Sequence, residues 1–155
     1  MRFAAVSPAD PATAALVEQY FAERSAGFPV VGGYHAALPD PALFEPPAGV
    51  FLRLDDDHGA PIGCGGVRRI DPDGIGERLE VKHLYLIPPA RGAGLGGALL
   101  DELERRAIEL GARTVVLDTN SALTAAGGLY RSRGYEHVAP YNDNPNATDW
   151  YAKRV

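Results

Sequence analysis

The stretch that decides the fold is Arg91-Gly92-Ala93-Gly94-Leu95-Gly96-Gly97, which separates an apolar run from an amphipathic one. Residues 79–87 before it are rich in strand formers, and residues 94–110 after it repeat apolar side chains at helical spacing. A glycine-rich turn that enters a helix gathers bare backbone N–H groups at the positive end of the helix. The guanidinium of Arg91 adds a full charge with a bidentate fork. The sequence therefore predicts a binding site for a phosphorylated cofactor at this turn.

The rest of the chain predicts a mixed set of strands and helices. Strands are expected at residues 1–6, 50–54, 61–70, 79–87, 114–117, 135–138 and 149–154, and helices at 12–23, 33–38, 94–110 and 122–133. Hairpins come first, and a strand–helix–strand crossover follows at the glycine turn. This order predicts one domain over residues 1–155, with an α/β fold, a mixed central sheet and a β-α-β crossover.

Charge, hydropathy and cysteine content argue against nucleic-acid partners, membrane partners and an internal disulfide. The 155 residues carry a formal net charge of -5, which argues against nucleic acid as a partner because phosphate backbones need clustered Lys and Arg. No apolar run reaches the length of a membrane span, so no membrane partner is expected. The single cysteine, Cys64, excludes an internal disulfide and suits a reducing compartment, with the cytoplasm as the expectation. Its neighbours Gly65 and Gly66 indicate a bulge or a close backbone approach, and Cys64 is expected to be a buried filler.

Two cofactors compete for the glycine turn. Gly92-x-Gly94-x-x-Gly97 matches the dinucleotide fingerprint, and Asp118 stands at a strand end where an acid would hold a ribose hydroxyl. Against that interpretation, four residues (88–91) separate the strand from the first glycine, and the segments upstream form hairpins instead of βαβ units. A dinucleotide-dependent oxidoreductase remains an alternative that the glycine pattern alone does not exclude.

A wider pattern resembles the GNAT N-acetyltransferase superfamily. Its three parts are Glu80-Val81-Lys82-His83-Leu84-Tyr85-Leu86-Ile87-Pro88, the glycine turn, and Leu129-Tyr130-Arg131-Ser132-Arg133-Gly134-Tyr135. The family's cofactor signature is Arg or Gln, two residues, Gly, one residue, then Gly or Ala, and Arg91, Gly94 and Gly96 fill those places. The resemblance covers most of the chain from about Phe51 onward. It implies a GNAT-like fold and the direct transfer of acetyl from acetyl-CoA to a primary amine.

The resemblance also implies where acetyl-CoA binds. Backbone amides of the turn would hold the pyrophosphate: Arg91, Gly92, Ala93, Gly94, Leu95, Gly96 and Gly97. The pantetheine arm would lie beside Leu84, Tyr85 and Leu86 like an additional strand. An unpaired strand amide near Leu84 or Tyr85 would then stabilise the oxyanion of the tetrahedral intermediate.

Two residues fill the catalytic roles that the resemblance implies. Tyr130 occupies the position of the family's catalytic tyrosine and is predicted to protonate the departing thiolate, although a tyrosine packed in the core fits the same pattern. Glu80 begins the cofactor strand and is predicted as the base, directly or through a water. Strand alternation places Glu80 and Lys82 on one face, where a plain ion pair is the rival interpretation. His83 and Tyr85 are expected on the opposite face, with His83, titrating near neutrality, as the second candidate base.

Two loops are predicted to border the acceptor. Tyr34 and His35 fall where the family's acceptor-site helices lie. Tyr141, Asn142 and Asn144 belong to the connection between the last two strands, for which a turn built from good turn residues is the alternative. His83 is a further residue that would line this side of the cleft. No metal site is expected, because residues 55–58 form a hairpin tip and the four histidines share no ligand spacing.

The acceptor itself stays open between a small-molecule amine and a protein amine. One departure from the family's pattern is Leu123, which stands where many members place an asparagine that contacts the pantetheine arm, while Asn120 lies three residues earlier. That contact is expected to be missing or rearranged. Dimerisation is common in the family, so a homodimer is compatible with the sequence. A non-catalytic acyl-CoA sensor, which binds the cofactor without turnover, is the alternative class of function.

Overall fold

A seven-stranded sheet and three α-helices make up the chain in a computed structural model that describes all residues 1–155. The strands are β1 (Arg2–Ala5), β2 (Gly49–Asp55), β3 (Pro61–Asp73), β4 (Gly76–Leu86), β5 (Thr114–Thr119), β6 (Glu136–Val138) and β7 (Asp149–Arg154). The helices are α1 (Pro11–Ala26), α2 (Leu95–Glu109) and α3 (Thr124–Ser132), with single 3₁₀ turns at Pro41–Phe44 and Pro88–Ala90. None of the helices combines the length and apolar character that crossing a bilayer requires.

The strands lie in the order β1-β2-β3-β4-β5-β7-β6. Every neighbouring pair is antiparallel except β4 and β5, which are parallel and are joined by a crossover through α2. Parallel neighbours need such a crossover, whereas the antiparallel pairs β2–β3 and β3–β4 are hairpins joined by short turns at residues 56–60 and 74–75. The predicted α/β fold with a mixed sheet is confirmed.

Each face of the sheet carries its own apolar core. Leu99 and Leu103 of α2 are fully buried in a larger cluster that includes Leu79 of β4. Leu16 and Val17 of α1 are buried in a smaller cluster on the other face. Burying a leucine side chain contributes about 1.5–3 kcal/mol. Because β4 is covered on both faces, its register and the position of its far end are strongly specified.

The parallel pair β4 and β5 separates early. The two strands pair only at Arg78–Thr114, Leu79–Val115 and Glu80–Val116. Beyond this point β4 continues beside β3 to Leu86, so residues 81–86 have no partner strand on their β5 side. The result is a V-shaped opening that points from the middle of the sheet toward the glycine turn.

A β-bulge interrupts β4 at this opening. The pairing with β3 skips His83 and Leu84, which together oppose the single residue Gly65. His83 takes a φ of 55°, a left-handed conformation that is uncommon outside glycine. On the same strand as Gly65, the ring of Phe44 fills the space that a side chain at Gly66 would need. The bulge expected at Gly65 and Gly66 is therefore present, with its extra residue on β4, and it is an aromatic ring instead of another backbone that lies close to Gly66.

The bulge also changes which side chains share a face. Leu79 and Val81 belong to the larger core cluster, which places Glu80 between them on the opposite, α1-covered face. The extra residue then returns Tyr85 to that α1 face, in the smaller cluster, and the His83 ring packs against aromatic rings of α1. The prediction that His83 and Tyr85 point away from the face of Glu80 is wrong, because simple alternation contains no bulge.

The segment before β2 is not helical over residues 33–38, so the short helix expected there is wrong. Gly32 adopts a φ of 70°, and residues 33–40 form no helical turn before the one at Pro41–Phe44. The N–H and C=O of His35 bond the side chain of Asn146 instead of neighbouring backbone. Residues 33–39, called the strap below, therefore form an irregular segment that is held by hydrogen bonds to the distant Asn146.

Candidate active site

Six consecutive backbone N–H groups, those of residues 92–97, have no acceptor within the chain. The first bond into α2 runs from Ala98 N to Gly94 O at 3.2 Å. Gly92 and Gly94 adopt φ values of 82° and 78°, and a Cβ at either position would meet no atom within 4 Å. Successive amides around left-handed residues form concave anion sites, and the start of a helix adds partial positive charge. The geometry of an anion site is present at the predicted turn.

The side chain of Arg91 is turned away from these amides. Its Nε and one terminal nitrogen donate to the carbonyl of Leu86 at 2.9 and 2.8 Å, and the same terminal nitrogen lies 2.8 Å from a carboxylate oxygen of Glu23. The guanidinium also lies over the ring of Tyr85, 5.5 Å from its centroid. The fork that the sequence assigns to a phosphate is thus occupied, and Arg91 ties the turn to the end of β4 and to α1.

A second arginine approaches the turn from α3. The guanidinium of Arg133 covers Gly97, where any side chain would collide with it. Its Nε is buried without a hydrogen-bond partner and lies 3.3 Å from an oxygen of the exposed Asp101. Arg133 lies in the same segment as Tyr130, but no sequence motif predicts a role for it. This close approach explains why residue 97, the last glycine of the turn, carries no side chain.

A cavity of about 810 Å³ opens where β4 and β5 separate. This volume lies within the range of roughly 300–1,000 Å³ that small-molecule sites occupy. Leu84, Tyr85 and Leu86 of β4 all line it, and Arg91 lines it at the glycine turn; their binding of a cofactor stays a prediction. Side chains of α1, α3 and the strap complete the walls.

Glu80 lies below the cavity floor and is 1% exposed. Its Oε2 accepts from Arg68 Nε at 3.0 Å, and its Oε1 accepts from the Tyr141 hydroxyl at 3.0 Å. The Nζ of Lys82 lies 2.9 Å from the same Oε1. The ion pair that rivals the base interpretation is therefore present. Both carboxylate oxygens of Glu80 thus have partners, and the residue does not line the cavity. The role of Glu80 as a base stays a prediction, and this geometry does not favour it.

Asp118 of β5 faces the same lysine across the opening. Lys82 Nζ lies 2.8 and 2.9 Å from its two oxygens, and Asn142 Nδ2 donates to it at 2.7 Å. Burial would raise the pKa of Asp118, but Lys82 and the amide hydrogen bonds outweigh it, so the pKa is lowered. In the sequence, Asp118 fits only the dinucleotide alternative, as a ribose ligand. The sequence feature that could have revealed its contact with Lys82 is a lone charge at the end of an apolar strand that follows the cofactor strand.

His83 is enclosed by aromatic rings and faces two cations. Burial disfavours its imidazolium, and Lys82 and Arg68 repel it, which together lower its pKa to about 4. Its Nδ1 is buried without a hydrogen-bond partner. The expectation that His83 titrates near neutrality is wrong, because neither the burial nor the cations are visible in a strand pattern. His83 lines the cavity as a neutral side chain.

Tyr130 is packed in the core and also lines the cavity, so its role as an acid stays a prediction. Its ring packs against Tyr135 and Tyr151, with centroids 6.0 and 5.8 Å away, and it is 7% exposed. The same side chain lines the cavity opposite β4. Burial raises the pKa of Tyr130 to about 12, so the hydroxyl keeps its proton across the physiological range. A buried tyrosine is thereby offered to the cavity as a hydrogen-bond donor.

The two loops predicted for the acceptor side meet each other. His35 N donates to Asn146 Oδ1 at 2.9 Å, and Asn146 Nδ2 donates to His35 O at 2.7 Å. Tyr34, next to this clamp, lines the cavity and packs 6.3 Å from the ring of Phe21. The strap and the connection between β6 and β7 therefore border one space.

The residues of that connection divide into two groups. Asn142 and Asn144 line the cavity, and Asn142 is held from behind by the indole N–H of Trp150 at 2.8 Å. Tyr141 is directed at Glu80 instead and does not line the cavity, so its predicted contact with substrate is not what the structure favours. Asn120 is buried and donates to Asn146 O at 3.1 Å, which ties down the loop.

Comparison with known proteins places these features in a family. Residues 13–135 match the acetyltransferase (GNAT) family. A segment of 102 residues, 66% of the chain, is 37% identical to an uncharacterised N-acetyltransferase of Schizosaccharomyces pombe. The match covers 61% of that relative's length, so the chain spans about three fifths of it.

Solved structures share the whole fold. An acetyltransferase of the GNAT family from Staphylococcus aureus aligns with a TM-score of 0.76 at 16% identity, covering 99% of both chains. A GNAT superfamily phosphinothricin acetyltransferase from Sinorhizobium meliloti, in complex with acetyl-CoA, aligns with a TM-score of 0.67 at 22% identity. That alignment covers 100% of this chain and 89% of the other. At such identities the likeness shows the fold alone.

Proposed function

The chain belongs to the GNAT acetyltransferase family, and we propose that it transfers the acetyl group of acetyl-CoA directly to a primary amine. One observation carries the proposal. The unpaired edge of β4 beside the cavity leads into the six free amides of residues 92–97. An extended ligand with an amide-bearing arm and a pyrophosphate at one end matches both features.

In this proposal the pyrophosphate sits on the amides of the turn, and the pantetheine arm runs along Leu84, Tyr85 and Leu86. The free amides require no side-chain charge to bind an anion. Arg91 contributes by holding the turn against Leu86 O and Glu23. The thioester then lies near the bulge, where an unpaired strand amide donates to its carbonyl oxygen as negative charge develops.

Direct transfer is favoured because the cavity offers no activated nucleophile. Cys64, the only cysteine, is buried, and burial raises its pKa to about 12. A thiol acts as a nucleophile through its thiolate, which a pKa near 12 suppresses at neutral pH. The cavity lining contains no serine or cysteine. The amine therefore attacks the thioester itself.

The amine must be neutral when it attacks, and the charged groups of the cavity are poorly suited to take its proton. His83 has a pKa near 4, the pKa of Asp118 is lowered, and both oxygens of Glu80 are engaged. We infer that the amine loses its proton to water before attack. Glu80 then serves to hold Lys82 in place instead of acting as the base.

Tyr130 is proposed to donate a hydrogen bond to the departing sulfur. A pKa near 12 makes full proton transfer to a thiolate uphill by about 3 to 4 pKa units, given about 8.5 for an ordinary thiol. Hydrogen-bond donation stabilises the sulfur as the C–S bond breaks, without that cost. The nitrogen loses one proton on forming the amide and the sulfur gains one, so the overall reaction balances.

Two measurements test the function together. Calorimetric titration with acetyl-CoA, CoA and NADH is expected to show binding of both CoA species and none of NADH. Screening a library of amines for free thiol release is expected to identify acceptors. Cofactor binding with no release from any amine would support the sensor alternative instead, and binding of NADH alone would return the turn to a dinucleotide.

A further inference from the structure

The charges around the cavity fall into pairs with one exception. Three cation–carboxylate pairs border it: Arg68 with Glu80, Lys82 with Asp118, and Arg91 with Glu23. Arg24 lines the same cavity and forms no ion pair within the chain. The cavity therefore carries one uncompensated positive charge, although the chain as a whole is acidic.

Arg24 is directed into the cavity and not into bulk solvent. Its guanidinium carbon lies 5.5 Å from the centroid of the Tyr34 ring, and the side chain is partly buried. Burial raises the pKa values of Tyr20, Tyr34 and Tyr130, and the charge of Arg24 opposes the rise at all three. Three cavity-lining hydroxyls thus lie within its electrostatic reach. Arg24 also hydrogen-bonds the hydroxyls of Tyr20 and Tyr34, but no carboxylate of the chain pairs with it. A partly desolvated guanidinium without a carboxylate still attracts an anionic ligand.

The size of the space limits what that ligand is. The strap and the connection before β7 are clamped together by the two hydrogen bonds between His35 and Asn146. Residues on both sides of this clamp line the cavity of about 810 Å³, which must also admit the thioester end of the cofactor. The remaining space suits a small molecule better than an extended polypeptide.

We propose that the acceptor is a small molecule that carries both a primary amine and a carboxylate, with the carboxylate bound by Arg24. The inference rests on the proposed acetyl transfer and names the chemical class of its acceptor. The Tyr34 ring under the guanidinium holds the fork in place, and its two parallel donors match a carboxylate. The three paired cations leave Arg24 as the cation best placed to select for this group.

The test compares matched acceptors on matched variants. The acceptors are an α-amino acid and its carboxamide, which differ in the carboxylate. The variants are Arg24→Gln and, as control, Arg105→Gln, which removes an exposed arginine of α2 that bonds Glu102. For each acceptor, kcat/KM of the variant is divided by that of the unaltered protein, which cancels the difference in amine pKa between the acceptors.

The expected result is a loss of about 10- to 100-fold for the amino acid in Arg24→Gln, the size of one charged hydrogen bond. The carboxamide ratio is expected to stay near one, and Arg105→Gln is expected to change neither. Equal losses for both acceptors would overturn the inference while leaving acetyl transfer intact. If neither acceptor releases thiol from the unaltered protein but a peptide amine does, the acceptor class is wrong. If no amine does, the proposed function fails as well.

A carboxylate can also arrive on the acyl donor. The same variants are therefore assayed with succinyl-CoA and the carboxamide acceptor. With succinyl-CoA and the carboxamide acceptor, we expect Arg24→Gln to have the same kcat/KM as the unaltered protein. A selective loss with succinyl-CoA would assign Arg24 to the acyl group and overturn its assignment to the acceptor.

Discussion

Replacing Gly94 with aspartate or with asparagine isolates the charge that the glycine turn is proposed to bind. Gly94 precedes α2 as its N-cap residue, with φ 78° and ψ 0°, and a Cβ there meets no atom within 4 Å. Asparagine and aspartate have nearly the same shape, and both enter the left-handed region more readily than other non-glycine residues. The two variants therefore share the steric and backbone consequences and differ by one negative charge.

The size of the effect follows from distance. Two unit charges about 4 Å apart repel by about 1 kcal/mol in water and by about 4 kcal/mol near a protein surface. Gly94 is exposed beside the free amides of residues 92–97, so an intermediate value of about 2–3 kcal/mol applies. That corresponds to roughly 30- to 150-fold weaker binding of acetyl-CoA by Gly94→Asp than by Gly94→Asn.

Calorimetric titration at low salt measures this difference. Raising the ionic strength toward 1 M should narrow the gap, because the Debye length falls from about 10 Å at 0.1 M to about 3 Å. Acetyl-pantetheine, which lacks the pyrophosphate, should bind both variants equally. Thermal stability should not fall in the aspartate variant relative to asparagine, because a carboxylate is favourable at a helix start. Equal acetyl-CoA affinities for the two variants would refute the pyrophosphate assignment.

Three further predictions concern the cavity. Tyr130→Phe should lower kcat by roughly 10²- to 10³-fold with acetyl-CoA affinity unchanged; an unchanged kcat in initial-rate assays would contradict the proposed donor role. Glu80→Gln should lower stability in urea denaturation by about 1–3 kcal/mol, because Arg68 loses its carboxylate partner while Lys82 keeps Asp118; a stable variant that loses activity together with the acid limb of its pH profile would restore the base interpretation. His83, whose pKa falls from 6.5 to about 4 on folding, binds fewer protons folded than unfolded in this interval, so stability should be lost as pH drops from about 6.5 to about 4. The loss of unfolding free energy over this pH interval approaches about 3 kcal/mol. In His83→Asn, whose side chain tolerates the left-handed backbone, the unfolding free energy should depend less steeply on pH. An unchanged slope in that variant would refute the assignment of the pH dependence to His83.

The parts of the fold that were predictable depend on local signals. The helix expected over residues 94–110 is found at Leu95–Glu109, because its apolar spacing and the glycines at its ends act within a few residues. The helix expected over residues 33–38 failed for a non-local reason. The backbone of His35 bonds Asn146, 111 positions away, and no window along the sequence contains that partner.

In the candidate site, too, the features set by nearby residues were predictable and those set by distant residues were not. The free amides of residues 92–97 were predictable, because they follow from glycines placed at the start of a helix. The direction of the Arg91 fork depends on Glu23, and the pKa of His83 depends on two cations brought together by folding. Likewise, Lys82 and Asp118 meet only because β4 and β5 are parallel neighbours. Residue types therefore indicated the chemistry, whereas their ionisation and orientation needed the tertiary structure.

In the proposed reaction, acetyl passes from CoA to an amine in this cavity without residing on the protein. A single-turnover experiment with stoichiometric acetyl-CoA, followed by mass spectrometry of both protein and small molecules, distinguishes direct transfer from an acetylated protein intermediate. We expect an acetylated amine that appears together with free CoA, no increase in protein mass, and no CoA release when the amine is omitted. Acetylated protein that forms without the amine and then transfers its acetyl group to the amine would rule out direct transfer.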